Sequence, residues 1–339
     1  MITIIILIFA SARGSARAGG SPHAGCSAQA KGVAQASGSA QAGVRRAGRA
    51  LASAAWPLPL AAALALALTA CGGSNAGGPT RPAPARLDVI AGFYPLAFAA
   101  AAIGRGRVDV TNLTPPGAEP HDLELSPRDV QRVRAAGLVL YLGQRFQPAL
   151  EDAVGEGAEG QAIDLLRGLA LAPGGDPHVW LDPVRYAQVG ERIGKALGDP
   201  EAGSRFADRL ETLDREYRSG LAECRRREIV TSHAAFGYLA ERYGLEQIAV
   251  TGVAPEAEPA PRELERVARL ARERGATTIF TETLVSPEIA ETVAREIGAQ
   301  TAVLDPLEGL TEDDAERGED YFSLMRRNLE TLREALGCR

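Results

Sequence analysis

Lysine and histidine are almost missing from this 339-residue sequence. Lysine occurs only at Lys31 and Lys195, and histidine only at His23, His121, His178 and His233. The lysine shortage, beside abundant arginine, alanine and glycine, reads as the codon bias of a GC-rich genome and carries no functional weight. The histidine shortage matters, because so few imidazoles make each position conspicuous. Long apolar runs are also missing: the run from about Trp56 to Leu68 falls short of the ~20 residues of a comfortable membrane span. No GxxxxGK[ST] phosphate loop is present, so any ATP-driven step belongs to another chain. No short-period repeat is visible. Residues 1–71 hold no Asp or Glu but six of the 37 basic residues, which leaves 31 basic against 43 acidic residues beyond them. An acidic body argues against nucleic acid as the partner and is compatible with binding cations. With 45% hydrophobic residues the chain can bury a large core or two smaller ones, which excludes disorder throughout and suggests about two domains.

What is present begins with a leader. Residues 44–71 run from the basic Arg45, Arg46 and Arg49 through the apolar stretch to small residues, the pattern of a secretory signal. Leu68-Thr69-Ala70-Cys71 resembles the bacterial lipobox, which implies cleavage before Cys71, acylation of its thiol, and anchorage on the outer face of the cell membrane. Residues 1–43 do not fit this scheme, and Val44, directly before Arg45, is an expected alternative start. The expected organisation is a leader over 1–71, a Gly/Pro/Ala tether over 72–86, an N-terminal α/β lobe over 87–198, a connecting helix over 199–225 and a C-terminal α/β lobe over 226–339. The body keeps two cysteines, Cys224 and Cys338, and outside the cytosol such a pair is more often a disulfide than two thiols. Bridging them closes a loop of about 115 residues, worth at most about 4–5 kcal/mol in the chain-entropy model.

From Leu87 onward short β-rich runs alternate with helical ones, which predicts two βα lobes, each a mainly parallel sheet flanked by helices. LDVIAGF, VDVTNLT and LVLYL read as strands of the first lobe, with helices over 95–103 and 127–136. REIVTS, LEQIAV, TTIFTE and QTAVLD read as strands of the second, with helices over 234–243, 261–274, 287–297 and 321–336. Between them Phe206, Leu210, Leu213, Tyr217 and Leu221 recur at helical spacing, the mark of one long helix of about 35 Å joining the lobes.

Every histidine beyond the leader falls at a predicted strand end or in a Pro/Gly-rich loop. His121 lies in TPPGAEPHD, His178 in GGDPHVWLDP, and His233 ends REIVTSH; Asp305 ends QTAVLD. In open α/β sheets ligands bind beyond the carboxyl ends of the strands. Three imidazoles and a carboxylate suit a borderline divalent metal such as zinc in tetrahedral geometry. Each residue has a plainer reading as well, a surface or hydrogen-bonded histidine, or an ordinary turn at Asp305-Pro306. Spacing alone leaves the two readings in balance.

The segments GAEPHDLELSPRDVQRVRAAGLVLYLG, DPHVWLDP, IVTSHAAFGYLAERYGL, TTIFTETLVSPEIAETVAREIG and AVLDPLEGL break the balance. In this order they resemble the successive motifs of the metal-binding solute-binding proteins of zinc and manganese ABC importers, and the resemblance runs from about Leu87 to Cys338. It implies two α/β lobes joined by a rigid helix, a metal held between them by His121, His178, His233 and Asp305, and delivery to a membrane permease served by a separate ATPase subunit. It implies a monomer held to the membrane by its lipid anchor. The manganese branch carries glutamate at the third ligand position, so His233 resembles the zinc branch. The His-rich acidic loop of many zinc-branch members is missing: between His121 and His178 the acidic stretch is only EDAVGEGAEG.

Glu119, Asp122, Asp176 and Glu282 are the candidates to orient the imidazoles from behind, and Glu119 could also approach the metal itself. Trp180 is expected to pack as a wall of the cleft. Alternatives at this stage are Mn2+ or Fe2+ on the same scaffold, a secreted zinc metallohydrolase with Glu282 or Glu119 as general base, and a surface adhesin needing no metal.

Overall fold

The computed structural model describes residues 85–172, 174–255 and 259–339, all within one compact unit, Gly77–Arg339. The leader, the lipobox with Cys71, the alternative start at Val44 and most of the tether lie outside the described residues. No helix among the described residues is long and apolar enough to cross a membrane.

The first lobe is a parallel sheet of β1 (Leu87–Ala91), β2 (Val108–Asn112), β3 (Leu138–Tyr141) and β4 (Gln161–Asp164), in the order β2-β1-β3-β4. Its crossovers carry α1 (Tyr94–Gly104), α2 (Pro127–Ala135) and α3 (Pro148–Gly155). Ser126 starts α2 with a capping box, its hydroxyl accepting from the Asp129 amide. Two long helices follow, α4 (Pro183–Ala196) and α5 (Pro200–Gly220). The second lobe repeats the plan: β5 (Glu228–Thr231), α6 (Gly237–Tyr243), β6 (Glu246–Ala249), α7 (Pro261–Glu273), β7 (Thr278–Thr281), α8 (Glu288–Ile297) and β8 (Gln300–Val303), with sheet order β6-β5-β7-β8. A short α9 (Glu312–Glu316) and the closing α10 (Tyr321–Leu336) complete the chain. In both sheets the strand order reverses at the centre, between β1 and β3 and between β5 and β7, which opens a crevice beyond the strand ends.

The connecting helix is shorter than its sequence pattern suggested, 21 residues or about 32 Å. It stops where Gly220 and Leu221 turn the chain toward β5, although Leu221 itself remains buried. In the first lobe α3 and β4 carry little sequence signal, because they are only eight and four residues long; α4, not among the expected helices, carries the ordinary start of a helix, Asp182 followed by Pro183. The predicted helix over 234–243 divides into a 3-10 turn, Ala234–Phe236, and α6, because the turn must first bring the chain away from His233.

One core cluster joins the lobes: Phe93, Trp180, Tyr186, Phe206 and Tyr217 pack with Tyr321, Phe322 and Met325 of α10. Buried hydroxyls seal it, with Tyr186 donating to the Pro95 carbonyl, Tyr217 to that of Met325 and Tyr321 to that of Trp180, each at 2.6 Å. Cys224, just past α5, is disulfide-bonded to Cys338, just past α10, fastening the chain's end to the root of the connecting helix.

Helices α4 and α5 meet through glycines. A Cβ on Gly194 would stand 2.7 Å from the Gly203 Cα and 2.9 Å from the Asp199 carbonyl, and backbone atoms cannot step aside. An overpacking cost of about 1–3 kcal/mol should exceed the gain in helix propensity of at most about 1 kcal/mol. Gly194→Ala is therefore expected to lower the urea midpoint of the protein; a raised midpoint would mean the two helices separate freely.

Candidate metal centre

Each imidazole is placed by irregular chain that follows a strand: His233 directly beyond β5, His121 and His178 in longer loops after β2 and β4. His121 sits in the 3-10 turn Pro120–Asp122, where the Glu119 carboxylate accepts from the His121 amide at 3.3 Å. His178 precedes the 3-10 turn Val179–Leu181, and Asp176 Oδ1 accepts from its amide at 2.9 Å and bonds its Nδ1 at 2.7 Å. His233 stands two residues beyond β5, with Glu282 accepting from its amide at 3.0 Å and facing its Nδ1 at 2.6 Å. Its carbonyl is held by the Thr231 hydroxyl and the Gln247 amide. With both Nδ1 atoms committed, the Nε2 atoms of His178 and His233 face inward, 3.3 Å apart.

The fourth group at this point is Glu308. Its Oε1 lies 3.1 Å from His178 Nε2, 3.4 Å from His233 Nε2 and 3.5 Å from His121 Nε2. Ligand atoms from all four residues lie within 4.8 Å of one another. Bonds of about 2.0–2.1 Å at tetrahedral angles place the donors of a zinc ion about 3.3–3.5 Å apart. The separations from Glu308 and between His178 and His233 are thus close to those of a preformed tetrahedron. His178, His233 and Glu308 are fully buried, and the His121 side chain is 8% exposed.

Asp305, expected as the carboxylate ligand, is not brought into this set. Its Oδ1 accepts from the Leu307 amide at 2.8 Å and from the Thr283 hydroxyl at 3.3 Å. Its backbone is pinned on both sides by Asn328. Burial pushes its carboxyl up to about 6. Asp305 thus builds the turn, Leu307 completes it with a left-handed φ of 55°, and the reversal delivers Glu308 to the histidines. The sequence did carry a signal: LDPLEGL offers two carboxylates between leucines, Asp305 and Glu308, and each needs a reason to be buried.

Of the orienting candidates, Asp176 and Glu282 meet the imidazoles of His178 and His233. Glu119 supports the His121 turn through its backbone. Asp122 is exposed and, with Glu119, lines a cavity of about 310 Å³ whose other walls include Leu284, Val285 and Ile289. Trp180 does form a wall, its ring 5.0 Å from that of His178, and it also donates Nε1 to the Pro306 carbonyl at 2.7 Å, tying the His178 segment to the Glu308 turn.

Burial alone would lower the His178 and His233 pKa values, but hydrogen bonds to Asp176 and Glu308, and to Glu282 and Glu308, reverse the direction; His233 is raised to about 10. Burial would raise Glu308, yet the three imidazoles hold it well below the usual carboxylate range. The metal-free site therefore keeps protons where a metal cation would sit.

A two-lobed α/β binding protein with a buried three-histidine, one-glutamate cluster between its lobes is the class that fold and site define. Residues 89–335 match the family model described as zinc-uptake complex component A, periplasmic, and the chain belongs to that family, one of solute-binding transport proteins. It is 32% identical to the Bacillus subtilis high-affinity zinc uptake system protein ZnuA over 304 residues, 81% of this chain and 95% of that one. It is 32% identical over 307 residues to the Streptococcus pneumoniae zinc-binding lipoprotein AdcA, covering 82% of this chain and 60% of that protein. The chain spans little more than half the length of the streptococcal AdcA proteins it matches. The Zn(II)-bound ZnuA-like domain of that AdcA superposes with a TM-score of 0.65 at 32% identity, over 74% of this chain and 99% of the domain.

The raised imidazoles stabilise the metal-free fold fully below their unfolded value of 6.5, and that stability is lost as pH rises through their folded values, about 10 for His233. The depressed Glu308 contributes above its unfolded 4.5 and fades at lower pH. Metal-free protein is thus expected to melt highest between about pH 4.5 and 6.5 and lower at pH 9, with Glu282→Gln flattening the alkaline limb. A melting temperature flat from about pH 6 to 9 would contradict the shifts.

Proposed function

We propose that this protein captures Zn2+ outside the cytoplasmic membrane with His121, His178, His233 and Glu308 and delivers it to the permease of an ABC importer. The observation that carries the reading is the spacing of the donor atoms: Glu308 lies 3.1–3.5 Å from each imidazole and the His178 and His233 nitrogens are 3.3 Å apart, which suits a tetrahedral ion without large rearrangement. Three imidazoles with one carboxylate leave a bound site at net +1, and a nitrogen-rich tetrahedral set favours zinc over Mn2+, whose chemistry asks for more oxygen donors. Fe2+ or Mn2+ on the same ligands is the nearer alternative.

The reading is of a carrier and not an enzyme. Four protein donors fill the tetrahedron and leave no position for an activated water. Glu282, one of two carboxylates a hydrolase could recruit as base, has both oxygens engaged by His233. The partners in this reading are a permease and an ATPase on separate chains, since no phosphate loop occurs in the sequence, and a membrane reached by acylation at Cys71. The name of the pneumococcal relative, a lipoprotein, supports that anchor.

Competition of the purified protein with a chromogenic zinc chelator tests the assignment. Glu308→Ala is expected to lose at least about 100-fold in zinc affinity, because it removes a ligand outright, whereas Asp305→Asn should cost about tenfold or less, acting only through the turn. Equal losses, or tighter binding of Mn2+ than Zn2+ by the wild type, would sink it.

A further inference from the structure

The strand ends of the first lobe converge on one buried amide. Gln147 caps α3 just beyond β3 and is fully buried. Its Nε2 lies 3.0 Å from the Gly92 carbonyl at the end of β1, 3.1 Å from the Thr114 hydroxyl beyond β2, and 3.3 Å from the carbonyl of Pro120, the residue before His121. Thr114 Oγ1 in turn donates to the same Gly92 carbonyl at 2.8 Å. The two carbonyls determine which way the amide faces, because its oxygen there would meet two acceptors. Gly92 is required for this approach: a Cβ at that position would collide with Gln147 Oε1.

The chain reaches Gln147 by a costly route. Gln144 and Arg145, neither of them glycine, are both left-handed, with φ of 66° and 62°. Conformations of this kind are unfavourable for residues other than glycine and persist where the surroundings over-determine them. The turn delivers two side chains to one place. Phe146 sets its ring 4.6 Å from that of His121, edge to face, and Gln147 reaches the Pro120 carbonyl. A Cβ on Gly175, on the segment that carries Asp176 and His178, would stand 3.0 Å from Gln144 Oε1. Asp176 and Glu282 bond the ring and the amide of their own histidines, whereas this turn holds His121 through the carbonyl of the preceding residue and a ring contact.

We propose that Gln147 is a positioning residue for metal capture: it ties Pro120 to the ends of β1 and β2 and thereby sets where His121 Nε2 stands relative to Glu308. The inference rests on the zinc-capture reading. Wild type that fails to bind Zn2+ and shows no tetrahedral absorption with Co2+ would overturn both.

With that binding in hand, Gln147→Met, which keeps length and loses the donor, is expected to weaken Zn2+ binding about 10- to 100-fold and to change the Co2+ d–d bands. The same substitution in a His121→Ala background should alter Zn2+ affinity no more than about twofold, because the clamp acts only through His121. Unchanged affinity and spectrum in Gln147→Met would overturn the clamp and leave the zinc reading standing. An equal loss in both backgrounds would assign the effect to the lobe at large and overturn it as well. Should Gln147→Met fail to fold by circular dichroism, Gln147→Glu and Thr114→Val take its place in the same measurements, with the same losses expected and the same results overturning the clamp.

Discussion

A carboxylate buried among three imidazoles is the constraint around which the protein is arranged. Glu308 is removed from water and would be intolerable there unpaired. Its oxygen meets three Nε2 atoms contributed by distant segments, two from the first lobe and one from the second. The cluster needs positive charge at its centre to satisfy both the carboxylate and the converging lone pairs. The contacts with Glu308 favour protonated imidazoles, and a divalent cation would compete with those protons. Uptake and proton release are thereby linked through the same atoms.

The cluster can act as a site only because its members are prevented from relaxing. Asp176 and Glu282 each clasp both the amide and the Nδ1 of a histidine, so ring direction and backbone are settled together. This leaves Nε2 as the free nitrogen in both cases. On the remaining side, Trp180 bonds the turn that presents Glu308, and Tyr321 bonds Trp180. Ligands from one lobe are thus braced against elements of the other. Beneath them lies the aromatic core of α4, α5 and α10, and the Cys224–Cys338 bond closes the chain on itself at the foot of α5. Such a frame favours a metal whose coordination is small and regular.

Particular residues show how far the sequence could be read. The three histidines were legible because histidine is so scarce and because each follows a β-rich run or sits among prolines and glycines. Asp176 was legible for a local reason, since it stands only two positions before the histidine whose ring it orients. Glu282 was reachable from its position at the end of β7, although only the sheet order β6-β5-β7-β8 brings that end beside β5 and His233. Asp305 misled because a carboxylate directly after a strand resembles a ligand in one dimension. The left-handed residue two positions later, which leaves no composition signal at a leucine, turns the next carboxylate inward instead.

The sequence by itself determined the alternation of strands and helices, the acidic excess beyond residue 71 and the long helix before β5, and it singled out the three histidines that the structure brings together. These depend on periodicity, charge and local spacing, which the chain carries residue by residue. Tertiary structure alone decided that Glu308, and not Asp305, stands against the three histidines, that Asp305 builds a turn, and that Gln147 gathers three strand ends beside His121. Those outcomes depend on distances between segments up to about two hundred residues apart, and only the packing of two sheets against a shared core sets such distances.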